Sequence, residues 1–230
     1  MQDTTDSLGY GDNKITFAGV AGIVDIYVGA DGSPVDAIDD VTPTAYEEAG
    51  HGVSGSGNSL NGAGNTSVLG YASPSYGGLS LSIAYHPSVS STSSQAGGTS
   101  GAGETSSNVN YAITYVPSMI EGLTLAYGSS KTEVMSSATA NDDTEMTMAL
   151  NYVNGALSVG YQQSEVQSGA DGANGNNVEE FGIAFAINEN LSVSYNQADN
   201  EDDATAGTAN VTEDSSGISA AYTMGSASFR

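Results

Sequence analysis

The stretch Leu79-Ser-Leu-Ser-Ile-Ala-Tyr85 sets large apolar residues at every second position and small residues between them. Successive side chains of a β-strand point to opposite faces, so this period of two predicts a strand with two unlike faces. One face would carry leucine, isoleucine and tyrosine, and the other would carry serine and alanine. The two faces of this strand are therefore expected to contact different surroundings.

The same alternating pattern recurs along the chain, and each copy ends on tyrosine. Later copies are Leu123–Tyr127, Leu157–Tyr161 and Leu191–Tyr195. A partner with the same alternation precedes each of them, at 109–115, 146–152 and 181–187. The repeating unit is therefore predicted to be a β-hairpin.

The connections between these segments are alternately short and long. Asn154-Gly155 is typical of the short ones, and Asn-Gly is a strong hairpin signal. The long connections are polar and cover roughly 30–66, 87–106, 134–142, 167–176 and 200–213. Short turns on one side and long loops on the other are typical of an outer-membrane β-barrel. We predict twelve strands, near 13–18, 23–29, 67–72, 79–86, 107–116, 123–133, 143–153, 156–166, 177–187, 191–199, 214–224 and from 227 on.

The residue types on the two faces indicate what each face meets. The apolar face carries no charge in its central stretch, and the other face holds Ser, Thr, Gly, Ala and Asn, which are too small and polar for a core. We expect nearly all acidic residues to lie in the long loops. A basic residue on a lipid-facing surface costs about 2–4 kcal/mol at the bilayer midplane, so the pattern favours a barrel with its apolar face outward. The alternative is an ordinary exposed β-protein in which tyrosine is only a good strand former.

Charge and composition exclude several function classes. The chain has 27 acidic and three basic residues, a net charge of −24, and no basic stripe to meet a nucleic-acid backbone. It has no cysteine, which excludes disulfides and thiol chemistry, and no apolar run long enough for a membrane-spanning helix. The start, Met1–Asp6, lacks the parts of a secretion signal, so we expect a removed signal or a beginning inside a longer protein.

The run Gly29–Asp31, the stretch Leu69–Tyr85 and the tyrosine-ended hairpins after it resemble the trimeric general porins of Gram-negative bacteria. The resemblance covers nearly the whole chain and implies one all-β domain over 1–230, a transmembrane antiparallel barrel. It implies about sixteen strands in all, with about three missing before this chain's long loop and about one after it. It also implies an outer-membrane location, lipid contact, a homotrimer and passive diffusion of ions and small polar solutes, with no catalysis and no cofactor.

In that family a long early loop folds into the lumen and narrows the pore, and the resemblance gives this role to residues 30–66. Within it, Pro34–Asp40 is expected to form a short helical turn. The implied constriction acids are Asp31, Asp36, Asp39, Asp40, Glu47 and Glu48. The alternative is that these acids belong to a solvated surface loop.

Basic residues are scarce where porins usually set arginine and lysine on the wall opposite the loop. The candidates for the lumen wall are Lys14, which shares a side with Thr16 by parity, and Asp25, while Lys131 lies toward a loop. Either the basic wall lies on missing strands or the pore favours cations.

Other chemistry has little support in the sequence. His51 and His86 lack metal-ligand spacing and are expected to be loop residues, so no metal site is predicted. The acidic stretches 141–143, 171–177 and 200–203 offer oxygen ligands for weak Ca²⁺ binding, and the alternative is that they are soluble loop tips. Two other functions stay open: a secreted or surface-anchored β-rich adhesion or structural protein, and a smaller twelve-stranded barrel acting as an enzyme or specific channel.

Overall fold

The computed structural model describes most of the strand-forming sequence and part of the long early loop. The described residues are 13–28, 33–38, 41–45, 60, 62, 68–87, 105–134, 141–167, 169, 175–202, 210–224 and 227–229. A single 3-10 turn, Asp36–Ile38, is the helical structure in this part of the chain, at the predicted place. Within the same residues there is no helix of the length and apolarity needed to cross a membrane.

All twelve predicted strands are present, and their bounds differ from the prediction by at most three residues. The strands are β1 (Asn13–Gly19), β2 (Gly22–Val28), β3 (Val68–Ala72), β4 (Leu79–His86), β5 (Thr105–Tyr115), β6 (Leu123–Val134), β7 (Asp143–Asn154), β8 (Leu157–Gln167), β9 (Gly175–Asn188), β10 (Leu191–Asp202), β11 (Val211–Met224) and β12 (Ala227–Phe229).

Each strand pairs antiparallel with the next strand along the chain, so the twelve form one sheet in sequence order. Short turns make this possible: at the Asn154-Gly155 turn, Gly155 has a φ of 59°, which glycine adopts without a steric penalty. In the described residues β1 pairs with β2 alone and β12 with β11 alone. The predicted serial hairpins and the antiparallel all-β fold are confirmed.

The two faces of the sheet are inverted relative to a water-soluble protein. On β7 the large residues Met146, Met148 and Leu150 are 37%, 47% and 41% exposed. Between them, Thr147 is fully buried and Ala149 is 8% exposed. We call the side that carries Met146, Met148 and Leu150 the apolar face, and the side that carries Thr147 and Ala149 the polar face. An exposed band of large apolar side chains over a buried polar layer is the arrangement expected of a sheet surrounded by lipid.

The acidic residues do not keep to the loops, and that prediction was wrong. The strands carry many of them near their long-loop ends, and Glu179, Asp199 and Asp214 are direct neighbours across β9, β10 and β11. The reason is strand length. A tilted strand crosses a bilayer in about 9–11 residues, whereas β9 and β11 each have 14, so their ends extend beyond the apolar band into water.

The inverted faces predict how the sheet responds to a charge. Replacing Leu150 by arginine on the apolar face should cost about 2–4 kcal/mol of unfolding free energy, because a lipid-facing charge loses its hydration. Replacing Asn177 by arginine, on the same face but at the third residue of β9 and opposite Glu201, should cost about 0–1 kcal/mol. Urea unfolding from lipid vesicles measures both. Equal losses at the two positions would show that this face does not meet lipid.

Candidate functional site

A segment of the long early loop covers the polar face, and we call residues 33–38 and 41–45 the crossing segment. At one end Ser33 Oγ donates to Asn110 Oδ1 of β5 over 3.3 Å. At the other end the backbone N–H of Ala45 donates to Ser194 Oγ of β10 over 2.9 Å. The segment therefore passes over six neighbouring strands, which is five inter-strand spacings or about 24 Å.

Gln162 of β8 holds the middle of the crossing segment through both ends of its amide. Its Nε2 donates to the carbonyl oxygen of Ile38 over 3.0 Å, and its Oε1 accepts from the N–H of Val41 over 2.9 Å. Nε2 also donates to Thr147 Oγ1 on β7 over 3.1 Å. The side chain is 2% exposed, so one buried wall residue supplies both a donor and an acceptor to the loop backbone.

Four side-by-side positions form a seat for Pro43: Asn151, Gly160, Gly182 and Asn196, which are consecutive partners across β7, β8, β9 and β10. We call these four residues the proline seat. Asn196 Nδ2 donates to the carbonyl oxygen of Pro43 over 3.0 Å, and Asn151 Nδ2 donates to that of Val41 over 2.7 Å.

The two glycines of the proline seat leave the space that Pro43 fills. A methyl group on Gly182 would lie 2.6 Å from the carbonyl oxygen of Pro43, and one on Gly160 would collide with Pro43 Cδ. Glycine inside a strand is typical of a site where another backbone approaches closely. The loop backbone is thus in direct van der Waals contact with the wall, with no room for water between them at this point.

Apolar side chains of the loop fix the other end of the crossing segment. Val35 is fully buried and Ile38 is 7% exposed. Both lie against Gly128 of β6, where an added methyl group would be 2.6 Å from Ile38 Cδ1. Leu60, further along the same loop, is also fully buried, and the N–H of Gly62 donates to Glu145 Oε2 of β7 over 2.8 Å. These contacts hold the loop by burial as well as by hydrogen bonds.

The polar side chains beneath the loop also bond to one another. Asn108 Nδ2 donates to Ser130 Oγ and to Thr132 Oγ1, each over 2.8 Å. Asn110 Nδ2 donates to Asn108 Oδ1 over 2.7 Å. A polar group removed from water must find a partner to avoid a penalty of about 1–3 kcal/mol. On β5 and β6 these short neutral side chains partner one another and leave space for the loop.

Of the predicted constriction acids, the structure describes Asp36 alone. It lies in the 3-10 turn and is exposed, as is Ala37, whereas Ile38 of the same turn is buried against the wall. The other five, Asp31, Asp39, Asp40, Glu47 and Glu48, lie outside the described residues. The described loop residues thus rest on the polar face, and the role of the acids stays a prediction.

The predicted wall residues lie on the first two strands. Lys14 of β1 is opposite Tyr27, and Asp25 of β2 is opposite Thr16; the side chains of Lys14 and Asp25 are outside what the structure describes. Lys131 lies near the long-loop end of β6, as expected, and forms a 2.8 Å ion pair with Asp142.

His86 is not a loop residue, and that prediction was wrong. It is the last residue of β4 and is fully buried, because the alternation that starts at Leu79 sets it on the polar face. No group of three or more His, Cys, Asp or Glu able to hold a metal ion occurs in the described part of the chain.

The sequence reasoning missed the residues that hold the loop, namely Gln162, Asn151, Asn196 and Ser194. A signal was present, because Gly128, Gly160 and Gly182 interrupt strands on the polar face, where glycine marks a close backbone approach. The polar face was interpreted only as a lining for water, not as a surface for another part of the chain.

Comparison with known proteins identifies the class to which this sheet and loop belong. A family model described as Gram-negative porin matches residues 2–227. The chain belongs to this Gram-negative porin family, and it is a channel protein of the bacterial outer membrane. No curated protein sequence matches the chain.

Several solved structures share the fold. One is a porin refined at 1.8 Å resolution, with 16% identity and a TM-score of 0.61 over 93% of this chain and 71% of that chain. Another is OmpT in a trimer form, an outer membrane protein of Vibrio cholerae, with 13% identity and a TM-score of 0.51 over 92% of this chain and 64% of that chain. The predicted porin resemblance and the barrel fold class are confirmed.

The contact at the proline seat yields a test of the loop position. Replacing Gly182 by alanine should displace Pro43 and cost about 1–3 kcal/mol of unfolding free energy, as overpacking does. The amide hydrogens of Val41 and Ala45 should then exchange faster with solvent, as mass spectrometry of peptides would show. Gly19→Ala is the control, because nothing lies within 4 Å of the added methyl group. Unchanged exchange in the Gly182 variant would contradict the seat.

Proposed function

We propose that the protein is a cation-favouring pore for passive diffusion of ions and small polar solutes, with the crossing segment as its constriction. The observation that carries the proposal is the position of this segment flat against the polar face from β5 to β10. A loop held there occupies cross-section on the side of the sheet that faces away from lipid. It therefore narrows any water-filled passage on that side.

The contacts also favour one side of the loop as the route for solutes. Between the loop and the strands β6–β10 the proline seat and the buried Val35 and Ile38 leave no passage. The opposite side of the 3-10 turn is exposed and carries Asp36. Solutes would pass along that exposed side.

The excess of acidic over basic residues supports a preference for cations. The chain has 27 acidic residues against three basic ones. Lys131 is in an ion pair with Asp142 near a strand end, and Lys14 lies on β1. A ring or row of carboxylates near a narrow water-filled path attracts cations and repels anions. The acids at 36, 39 and 40 would act in this way beside a largely neutral wall.

Diffusion through such a passage needs no catalytic group and no cofactor, and we propose that the protein acts with neither. We further propose that three copies assemble in the membrane, in line with the trimer form described for the similar Vibrio cholerae protein. Native mass spectrometry from detergent should then give three chains per particle, and a single chain would contradict the trimer.

The selectivity proposal is tested by the reversal potential across a planar bilayer under a salt gradient. The wild-type protein in its complete form should show stepwise ohmic currents with a cation-selective reversal potential. The triple variant D36N/D39N/D40N should move that potential toward zero, because it removes three negative charges from the constriction.

The control variant is E165Q/E179Q/D199N, which removes three charges near the strand ends on the other face of the sheet. It should leave the reversal potential unchanged. Anion selectivity of the wild type, or equal shifts in both triple variants, would refute the constriction role of the loop acids. Failure to form stepwise currents would refute the pore itself.

A further inference from the structure

We propose that Gln162 is a positioning residue of the channel, which fixes the pore cross-section by holding the crossing segment against the wall. The inference deepens the proposed pore function and rests on it. Gln162 contacts the loop backbone at both Ile38 and Val41, and it is not itself part of the solute path, because it is buried beneath the loop.

The amide of Gln162 matches the loop backbone in a way that few side chains can. The carbonyl of Ile38 needs a donor and the N–H of Val41 needs an acceptor, and both point at the same wall position. Among side chains that do not titrate, only asparagine and glutamine end in a planar group with a donor and an acceptor side by side. Asparagine is shorter by one methylene group, so glutamine suits the distance found here.

A network behind Gln162 holds its amide in place. Its Nε2 donates to Thr147 Oγ1, and Ser164 Oγ donates to the same Thr147 oxygen over 2.9 Å. Thr147 is fully buried and Ser164 is 5% exposed. A side chain whose partners are themselves fixed loses little further entropy in holding the loop. The network makes the clamp rigid.

The clamp lies in the middle of the crossing segment, between its apolar end and the proline seat. Gln162 bonds to Ile38 and to Val41, and the Pro43 contacts begin only beyond Val41. Without the clamp, the turn that bears Asp36 would keep the packing of Val35 and Ile38 and the Ser33 hydrogen bond, but it would lose its hydrogen bond from the wall at Ile38. Release of this middle part would let the turn move into and out of the solute path.

The first test compares Q162M with Q163M in planar bilayers. Methionine keeps the length of glutamine but offers no hydrogen bond to the loop. Q162M should lose the single uniform conductance level and show several levels with higher open-channel current noise. Q163M changes the next residue, which lies on the other face, and should behave as the wild type. Heat-dependent gel mobility should show a folded barrel in both variants.

A second pair, Q162E and Q163E, makes the same test reversible. An ionised carboxylate at 162 has no donor for the Ile38 carbonyl, whereas a protonated carboxyl regains both a donor and an acceptor. Q162E channels should therefore be noisy at neutral pH and return toward the uniform wild-type level in acid. Other titratable groups in the described residues lie on the same side of the sheet, namely Glu180 opposite Gln162, Glu145 and Asp36. Because these groups also change charge in acid, the wild type and Q163E are recorded over the same pH range.

The outcomes are separable. Wild-type conductance and noise in Q162M, or no difference between Q162E and Q163E at any pH, would overturn the clamp while leaving the pore and its selectivity intact. If Q162M does not fold, Q162E channels inserted in acid decide the question when the pH is raised. Loss of the uniform level in that step supports the clamp, and a constant level overturns it.

Discussion

In the hydrocarbon layer of a membrane a backbone N–H has no water to bond, so every backbone donor and acceptor must find a partner within the protein. Continuous antiparallel pairing from β1 to β12 meets this demand for each internal strand. Once the pairing is fixed, the alternation of side chains assigns every residue to one of two faces. The large apolar residues then contact lipid, and the small polar ones face the interior, where they contact the loop.

The same demand applies to the loop that lies on the polar face, where its backbone is removed from water. Short neutral side chains of the wall meet it: Gln162, Asn151 and Asn196 bond to backbone atoms of Ile38, Val41 and Pro43, and Ser194 accepts from Ala45. Proline has no N–H. Pro43 can therefore press against the glycines of the seat without leaving a donor unpaired. The polar face thus has two tasks, since it lines the interior and it partners the loop.

Local alternation made the fold predictable, whereas contacts distant in sequence did not show in the pattern. Segments such as Leu157–Tyr161 and the Asn154-Gly155 turn predicted the strands and their connectivity, because these depend on neighbours along the chain. The hydrogen bonds of Gln162 to Ile38 and Val41 join residues more than 120 positions apart, and nothing near Gln162 marks its partner. The helical turn at Asp36–Ile38 was predictable from its local composition, but its contact with Gly128 was not.

The positions of the acidic residues were also only partly predictable from the sequence. Acids were expected in loops because a charge in lipid is costly, and that reasoning holds only for the central band of each strand. Glu179, Asp199 and Asp214 lie beyond this band on strands that continue past it. Strand length is set by pairing with a neighbour, and the alternating pattern alone did not show where the membrane ends.

The central claim is that the apolar face meets lipid and the polar face does not. Because the chain has no tryptophan, a single tryptophan placed at Leu125 or at Ala126, adjacent residues on opposite faces of β6, reports one face at a time. In vesicles the account predicts that brominated lipid quenches the fluorescence of the Leu125 variant and that aqueous iodide quenches only the Ala126 variant. Equal quenching of both by either agent would contradict it.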